Sequence, residues 1–176
     1  MTHCVPCSTP RHPLRAVLLF GLLAGLAAPD APAAPPAPVA PITRFMDNGN
    51  GTVTDSLTGL TWLKNANCFG AQIWSAALSA ANGLASGGCG LSDGSIAGQW
   101  RLPNVTEWQS LVDYTRSSPA LPAGHPFAGI QADNYWSSTA DASNACCVWT
   151  VNLPAGNVVA GNKAFDFYVW PVRGGQ

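Results

Sequence analysis

The stretch at residues 47–55 reads DNGNGTVTD, acidic and amide side chains interleaved with glycine. A calcium loop and a tight β-turn share that composition, and spacing separates them. An EF-type loop starting at Asp47 would put Gly49 and Gly51 where side-chain oxygens belong, and Thr52 where the glycine belongs. Asn-Gly pairs, in contrast, supply the positive φ of the tightest hairpin turns. The stretch therefore reads as a hairpin tip. No motif assigns a metal or other cofactor, and any calcium would be sought in the loops after residue 133.

Other reactive residue types are sparse. His125 stands in the loop segment Ala123-Gly124-His125-Pro126, without the oriented partners that a nucleophilic triad needs. Asp133 and Asp141 could face one another as a glycosidase pair, but no sequence feature fixes their separation. A zinc site needs three or four closely spaced His, Cys or Asp ligands, which this sequence does not offer. Catalysis is not expected. Asp133, Asn134, Tyr135, Asp141, Asn144 and Trp149, with Asn157 and Asn162 on later loops, instead combine aromatic platforms with amide and carboxylate groups. Such a set suits binding of a sugar or a protein surface.

The cysteines point to export. Cys4 and Cys7 fall in a leader, leaving Cys68, Cys89, Cys146 and Cys147, which an oxidising compartment would pair in one of three ways. Cys68 with Cys89 is the first choice, because it ties the ends of the segment that carries the first helix. Adjacent Cys146 and Cys147 are left to form a vicinal disulfide, to stay as thiols, or to link to another chain.

The leader is residues 1–33. Arg11, His12 and Arg15 precede the apolar run AVLLFGLLAGLAA, and Ala31-Pro32-Ala33 offers a small-x-small cleavage site. The run is too short for a comfortable bilayer span, so no stable membrane segment is expected after cleavage. Residues 34–43 form a Pro/Ala tether. The folded part, residues 44–176, carries six Lys or Arg against eight acids, a formal charge of −2, together with all seven tryptophans. A surface of that sign does not suit a nucleic-acid partner.

The elements that must position these residues follow from local pattern. Arg44-Phe45-Met46, Thr52-Val53-Thr54 and Leu60-Thr61-Trp62-Leu63 alternate with turn signals as an antiparallel meander. WSAALSAANGLAS places Trp74, Ala77, Leu78, Ala81 and Leu84 on one helical face, with Gly87 and Gly88 as the stop. In WRLPNVTEWQSLVDY, Asn104 and Glu107 form a capping box and Trp108, Leu111 and Val112 face inward. Strands are expected at 135–138, 148–152, 158–159 and from Phe165 to Val172. Trp149 and Val151 share one face of their strand, Thr150 and Asn152 the other. Trp62, Trp100, Trp108, Trp136 and Trp170 are assigned to the core. The order of strands, helices and strands is α+β.

DNGNGTVTDSLTGLTWLK, WRLPNVTEWQSLVDY, NYWSST and FYVWPVRGG, in that order, resemble the bacterial family typified by the C-terminal domain of the Legionella collagen-like adhesin. The resemblance covers essentially all of residues 44–176. It implies a C-type-lectin-like fold in which N- and C-terminal strands pair and two helices flank a loop-rich antiparallel sheet. It also implies a binding module, with polysaccharide or glycosaminoglycan ligands in the adhesin. RLPNVTEW is similar to a segment of formylglycine-generating-type proteins, but no matching cysteine context accompanies it. The Glu-Pro-Asn, Gln-Pro-Asn and Trp-Asn-Asp signatures of calcium-dependent lectins are absent from the sequence, as is a collagen-like Gly-x-y tract. The expected function is an exported lectin-like or adhesin-like module for an extracellular glycan or protein, in the periplasm, at the cell surface or secreted. The alternative is an envelope assembly module cross-linked through Cys146 or Cys147, and the oligomeric state is left open.

Overall fold

The computed structural model describes residues 43–174. The expected leader, 1–33, and all of the tether but its last residue lie outside the described residues. In chain order the elements are β1 (Phe45–Asp47), β2 (Thr52–Asp55), β3 (Thr61–Leu63), β4 (Ala71–Gln72), α1 (Trp74–Gly83), α2 (Val105–Leu111), β5 (Asn134–Ala140), β6 (Cys147–Asn152), β7 (Asn157–Asn162), β8 (Phe167–Tyr168) and β9 (Val172–Arg173). The class is α+β.

Two sheets form. The expected meander is present as antiparallel β1-β2-β3, and β9 pairs with β3, so the chain's early and late strands meet in one sheet. The second sheet runs β4-β8-β5-β6-β7 and is mixed, because β8 lies parallel to β5. A purely antiparallel sheet was the expectation, and this crossover corrects it. The expected single strand from Phe165 to Val172 is likewise two strands in two different sheets. It starts late, at Phe167, since the Asn162 Oδ1 and carbonyl hold the N–H groups of Ala164 and Phe165 in a turn. Downstream, Trp170 is fully buried and Pro171 has no N–H for a ladder.

Helix α2 begins as its sequence dictates. Asn104 accepts the Glu107 N–H at 2.8 Å, and Glu107 Oε2 accepts the Asn104 N–H at 2.7 Å. Arg101 closes on the same carboxylate with two hydrogen bonds of 2.6 and 2.8 Å, so Glu107 is a structural acid. Helix α1 is shorter than its pattern predicts, ending at Gly83 rather than at Gly87. Leu84 turns away in extended conformation and joins a different core cluster from Ala77 and Ala81.

The core has two parts. The larger joins Trp62, Trp100, Trp108, Tyr135, Val151 and Trp170 with leucines from the loops; the smaller joins Ala77, Ala81, Leu102, Trp136, Val148 and Val169. All five tryptophans assigned to the core are fully buried. The second sheet contributes to both parts, Tyr135 and Val151 to one and Trp136 and Val148 to the other. The half-buried alternation expected of β6 is therefore lost: Val148, Thr150 and Val151 are all buried.

Buried indoles need hydrogen-bond acceptors. Trp108 donates to the Trp136 carbonyl, Trp136 to that of Gln72, and Trp170 to that of Leu63, at 3.0, 2.7 and 2.6 Å. Trp62 is the exception, its Nε1 buried with no acceptor among the described residues. An indole-to-phenyl change should therefore be costlier at Trp170, where a bond is lost, than at Trp62, where an unpaired donor is removed. The difference expected between Trp170→Phe and Trp62→Phe in denaturant unfolding is about 1 kcal/mol; equal costs would contradict the role given to the Trp170 bond.

Candidate functional site

The eight residues assigned to binding do not converge. Asn134, Asn152 and Asn157 stand in register across β5, β6 and β7 at one end of the second sheet, with Asn152 Nδ2 donating to Asn134 Oδ1 at 3.1 Å. Asp133 precedes them and accepts the Asn134 N–H. Asp141, Asn144 and Asn162 lie at the other end of the same strands. The length of β5 puts the two groups about 20 Å apart. That also disposes of Asp133 and Asp141 as a glycosidase pair, which needs carboxyl groups within roughly 5–10 Å.

Most of these polar side chains are occupied locally. Asp141 Oδ1 accepts the N–H and hydroxyl of Ser143, which hold its carboxyl below the usual carboxylate range. Asn144 and Asn162 do the same for the N–H groups two residues on. The pattern recurs at Asp47, Asn50, Asp55, Asn65, Asp93 and Asp113, nine such Asx-turns among the described residues. The richness in Asp and Asn is thus chiefly turn chemistry.

Tyr135 is not a surface platform either. Its ring is fully buried against Trp108, Trp170 and Tyr168, and its hydroxyl accepts the Gln131 N–H at 2.8 Å. Burial pushes its phenol up to about 12. An aromatic followed by Trp136 in a strand looks exposed on one side only if that side is open, and here both sides are covered. Trp149 is half-buried beside Ala160 of edge strand β7, and remains the one aromatic of the set at the surface.

His125 lies in the loop before β5 with its Nδ1 buried and unpartnered, 5.6 Å from the Phe127 ring. It borders a hollow of about 230 Å³ with Ser118, Pro119, Ile130, Gln131 and Ala132. Burial lowers its pKa, favouring the neutral ring. No carboxylate lines that hollow, so nothing there orients it as a base.

A larger cleft, about 470 Å³, opens at the hairpin tip that begins this sequence's family motifs. It is lined by Gly49 and Gly51, Lys64 and Asn65, Cys89 and Gly90, and Ala128 and Gly129. Four separate chain segments meet there through backbone bonds: Lys64 N–H to Gly51 O, Ala128 N–H to Lys64 O, and Ser92 N–H to Asn50 O, at 2.9, 2.9 and 3.0 Å. The Cys68–Cys89 disulfide, as expected from sequence, holds the third segment. Lys64 Nζ donates to Asp47 Oδ2 at 2.6 Å, and that bond with the Gly49 N–H keeps the Asp47 carboxyl below its ordinary value. Asp47 therefore serves a turn and an ion pair. Among the described residues, no three His, Cys, Asp or Glu side chains cluster as metal ligands.

The family model described as the Lcl C-terminal domain matches residues 51–173. The chain belongs to this family. No curated protein and no solved structure is found to match the chain. The Lcl C-terminal domain match opens at Gly51 in the cleft and closes at Arg173 in β9, so it takes in both helices and all of the second sheet. It is not a known enzyme family. Among the described residues no helix is long and apolar enough to cross a membrane.

The DNGNG tip is legible in the sequence as a turn, but its neighbours in the cleft are not. Three residues of this Lcl C-terminal domain, Lys64, Asn65 and Gly129, become cleft residues only through contacts distant in sequence. The signal that could have found them was the glycine spacing itself. A Cβ on Gly51 would collide with the Gly90 carbonyl, whereas one on Gly59 would meet nothing within 4 Å, and both glycines have positive φ. Gly59→Ala should cost about 1–2 kcal/mol for the left-handed backbone alone. Gly51→Ala should cost that plus about 1–3 kcal/mol of overpacking, read as a larger drop in urea midpoint. For Tyr135, phenol ionises near 10 in the unfolded chain and near 12 in the folded one. The folded state thus holds its proton longer, and stability should fall as pH rises from 10 to 12. An ultraviolet titration should show one of the three tyrosines ionising late, and uniform ionisation near 10 would contradict the burial.

Proposed function

We propose that this chain is an exported, non-catalytic, adhesin-related binding module of C-type-lectin-like fold that takes a glycan in the cleft between Gly49, Gly51, Lys64, Asn65, Gly90 and Gly129. The observation that carries the reading is the lining of that cleft. Half of its residues are glycines, which leave peptide groups uncovered by side chains, and the rest offer the Lys64 ammonium and the NH2 of the Asn65 amide, whose oxygen is held by the Asn67 N–H. Hydroxyl-rich ligands are recognised by such closely placed hydrogen-bonding groups. The volume falls in the range of small-molecule sites, on the order of 300–1,000 Å³.

The family membership supports a binding role over catalysis. Export is supported by the leader pattern and by the disulfide at Cys68–Cys89, a bond that persists in oxidising compartments. Lys64 is the pivotal side chain. Both side chains of its pair with Asp47 are open to water, which screens their attraction, so the ammonium can turn to a ligand at little cost.

Glycan-array binding of the purified protein, with and without chelator, tests the reading. Retention of a glycan class is expected, with Lys64→Ala weakening it on the order of tenfold, as loss of a charged hydrogen bond does, and leaving the melting temperature nearly unchanged. No retained glycan would sink the proposal. Binding lost in Trp149→Ala but kept in Lys64→Ala would move the ligand to the second sheet.

A further inference from the structure

The cysteine pair at the start of β6 takes no part in the cleft. Cys146 is exposed and Cys147 is buried, and their sulfurs stand 3.1 Å apart. We propose that Cys146 and Cys147 form an intramolecular thiol–disulfide exchange site, in which exposed Cys146 reacts with a low-molecular-weight disulfide and buried Cys147 resolves the product into a vicinal ring.

The Cys146 thiolate attacks one sulfur of RS–SR, forming a Cys146–SR mixed disulfide and expelling RS⁻. The Cys147 thiolate then attacks Cys146 Sγ, breaks that bond and expels the second RS⁻. The two cysteines lose two electrons and two protons, and the oxidant leaves as two RSH.

Position assigns the order of attack. Only Cys146 is open to a reagent, and its sulfur also lies 3.1 Å from Asn144 Oδ1, an acceptor that orients it. Cys147 is shielded, and its thiol is pushed up by the hydrogen bond with Cys146, by burial, and by the charges of Cys146 and Asp141. Resolution inside the chain is favoured because no second chain can match the effective concentration of a sulfur 3.1 Å away.

The ring would be a labile one. Adjacent Cα atoms across a trans peptide are about 3.8 Å apart, below the roughly 4.4–6.8 Å of ordinary disulfides. Strained disulfides have more oxidising potentials and reopen readily. The peptide that must adjust is held on all sides: Cys146 O accepts the Lys163 N–H, Cys147 N–H donates to Asn144 O, and Cys147 O accepts the Asp141 N–H. Closing the ring therefore acts on the turn from Asp141 to Cys147 and on the pairing of Cys147 with Asn162. Cys68–Cys89, at ordinary Cα spacing of 5.6 Å, would be unaffected.

The test is a titration of the whole protein with mixtures of reduced and oxidised glutathione, quenched with N-ethylmaleimide and digested with trypsin. The peptide 117–163 holds Cys146 and Cys147 and no other cysteine. With excess oxidised glutathione it should lose both alkylation sites and two hydrogens of mass, and dithiothreitol should restore both sites. Cys147→Ser should stop at a glutathione adduct on Cys146, and Cys146→Ser should leave Cys147 unreacted. The proposal is overturned if both thiols stay alkylatable throughout, if the unaltered protein keeps a glutathione adduct, or if a dimer linked through Cys146 is the product.

Discussion

Trp170 is the contact on which the rest of the fold depends. Its ring lies within 5.7 Å of four others, those of Trp62, Trp108, Phe127 and Tyr135, contributed by β3, α2, the loop between α2 and β5, and β5. Its indole N–H is bound to the Leu63 carbonyl, a partner 107 residues earlier in the chain. One side chain thus closes the link between β8 in the second sheet and β9 in the first. Large aromatic rings supply most of the apolar area that a small core of this kind can bury. Because their N–H groups bind carbonyls of other elements, packing and element order are fixed by the same residues.

This economy has a consequence for function. With few regular elements, much of the chain is loop, and loops need their backbone groups satisfied. The Asx-turns do that, and they consume the carboxylates and amides that would otherwise look like ligand-binding groups. Tyr135 and Trp136 are consumed by the core in the same way. What remains uncommitted is where segments meet with no side chain between them, as at Gly51 against Gly90 and at Gly129, where a Cβ would stand 2.6 Å from Asn65 Oδ1. The glycine-lined cleft follows from close docking of backbones rather than from a set of converging side chains.

What was legible in the sequence was what local chemistry decides. The capping box at Asn104 and Glu107, the hairpin turns at Asn-Gly, the core tryptophans and the Cys68–Cys89 bond each depend on residue type and short spacing. What was not legible depends on partners far along the chain. Phe165 to Val172 has the apolar alternation of one strand, yet the burial of Trp170 divides it between two sheets. Leu84 continues the stripe of α1 by spacing but leaves the helix to join the larger core cluster. The candidate binding residues are near in sequence, which suggests one loop cluster; the length of β5 separates them.

The charge arrangement limits the kind of ligand that the proposed glycan reading of the cleft would admit. Of the six cations in the folded part, five sit in ion pairs: Arg44 with Asp55, Lys64 with Asp47, Arg101 with Glu107, Arg116 with Asp113 and Arg173 with Asp93. Three of these are built into the fold. The side chains of Asp55 and Asp93 are covered, Glu107 also caps α2, and Arg173 lies 5.0 Å over the Trp100 ring although Asp93 Oδ2 meets it without hydrogen-bond geometry. The sixth, Lys163, binds the Ala145 carbonyl and faces the Trp74 ring. A polysulfated chain is held by arrays of uncommitted cations and their counterion release, and such an array is missing among the described residues. Removing one partner from a buried pair would leave a costly unpaired charge, so these arginines cannot be redirected to a ligand. Lys64 is the cation in the cleft and the one there with an exposed, replaceable partner. Under the proposed glycan reading, the arrangement is compatible with a neutral ligand, or with one carrying an isolated carboxylate that would take the place of Asp47 on Lys64.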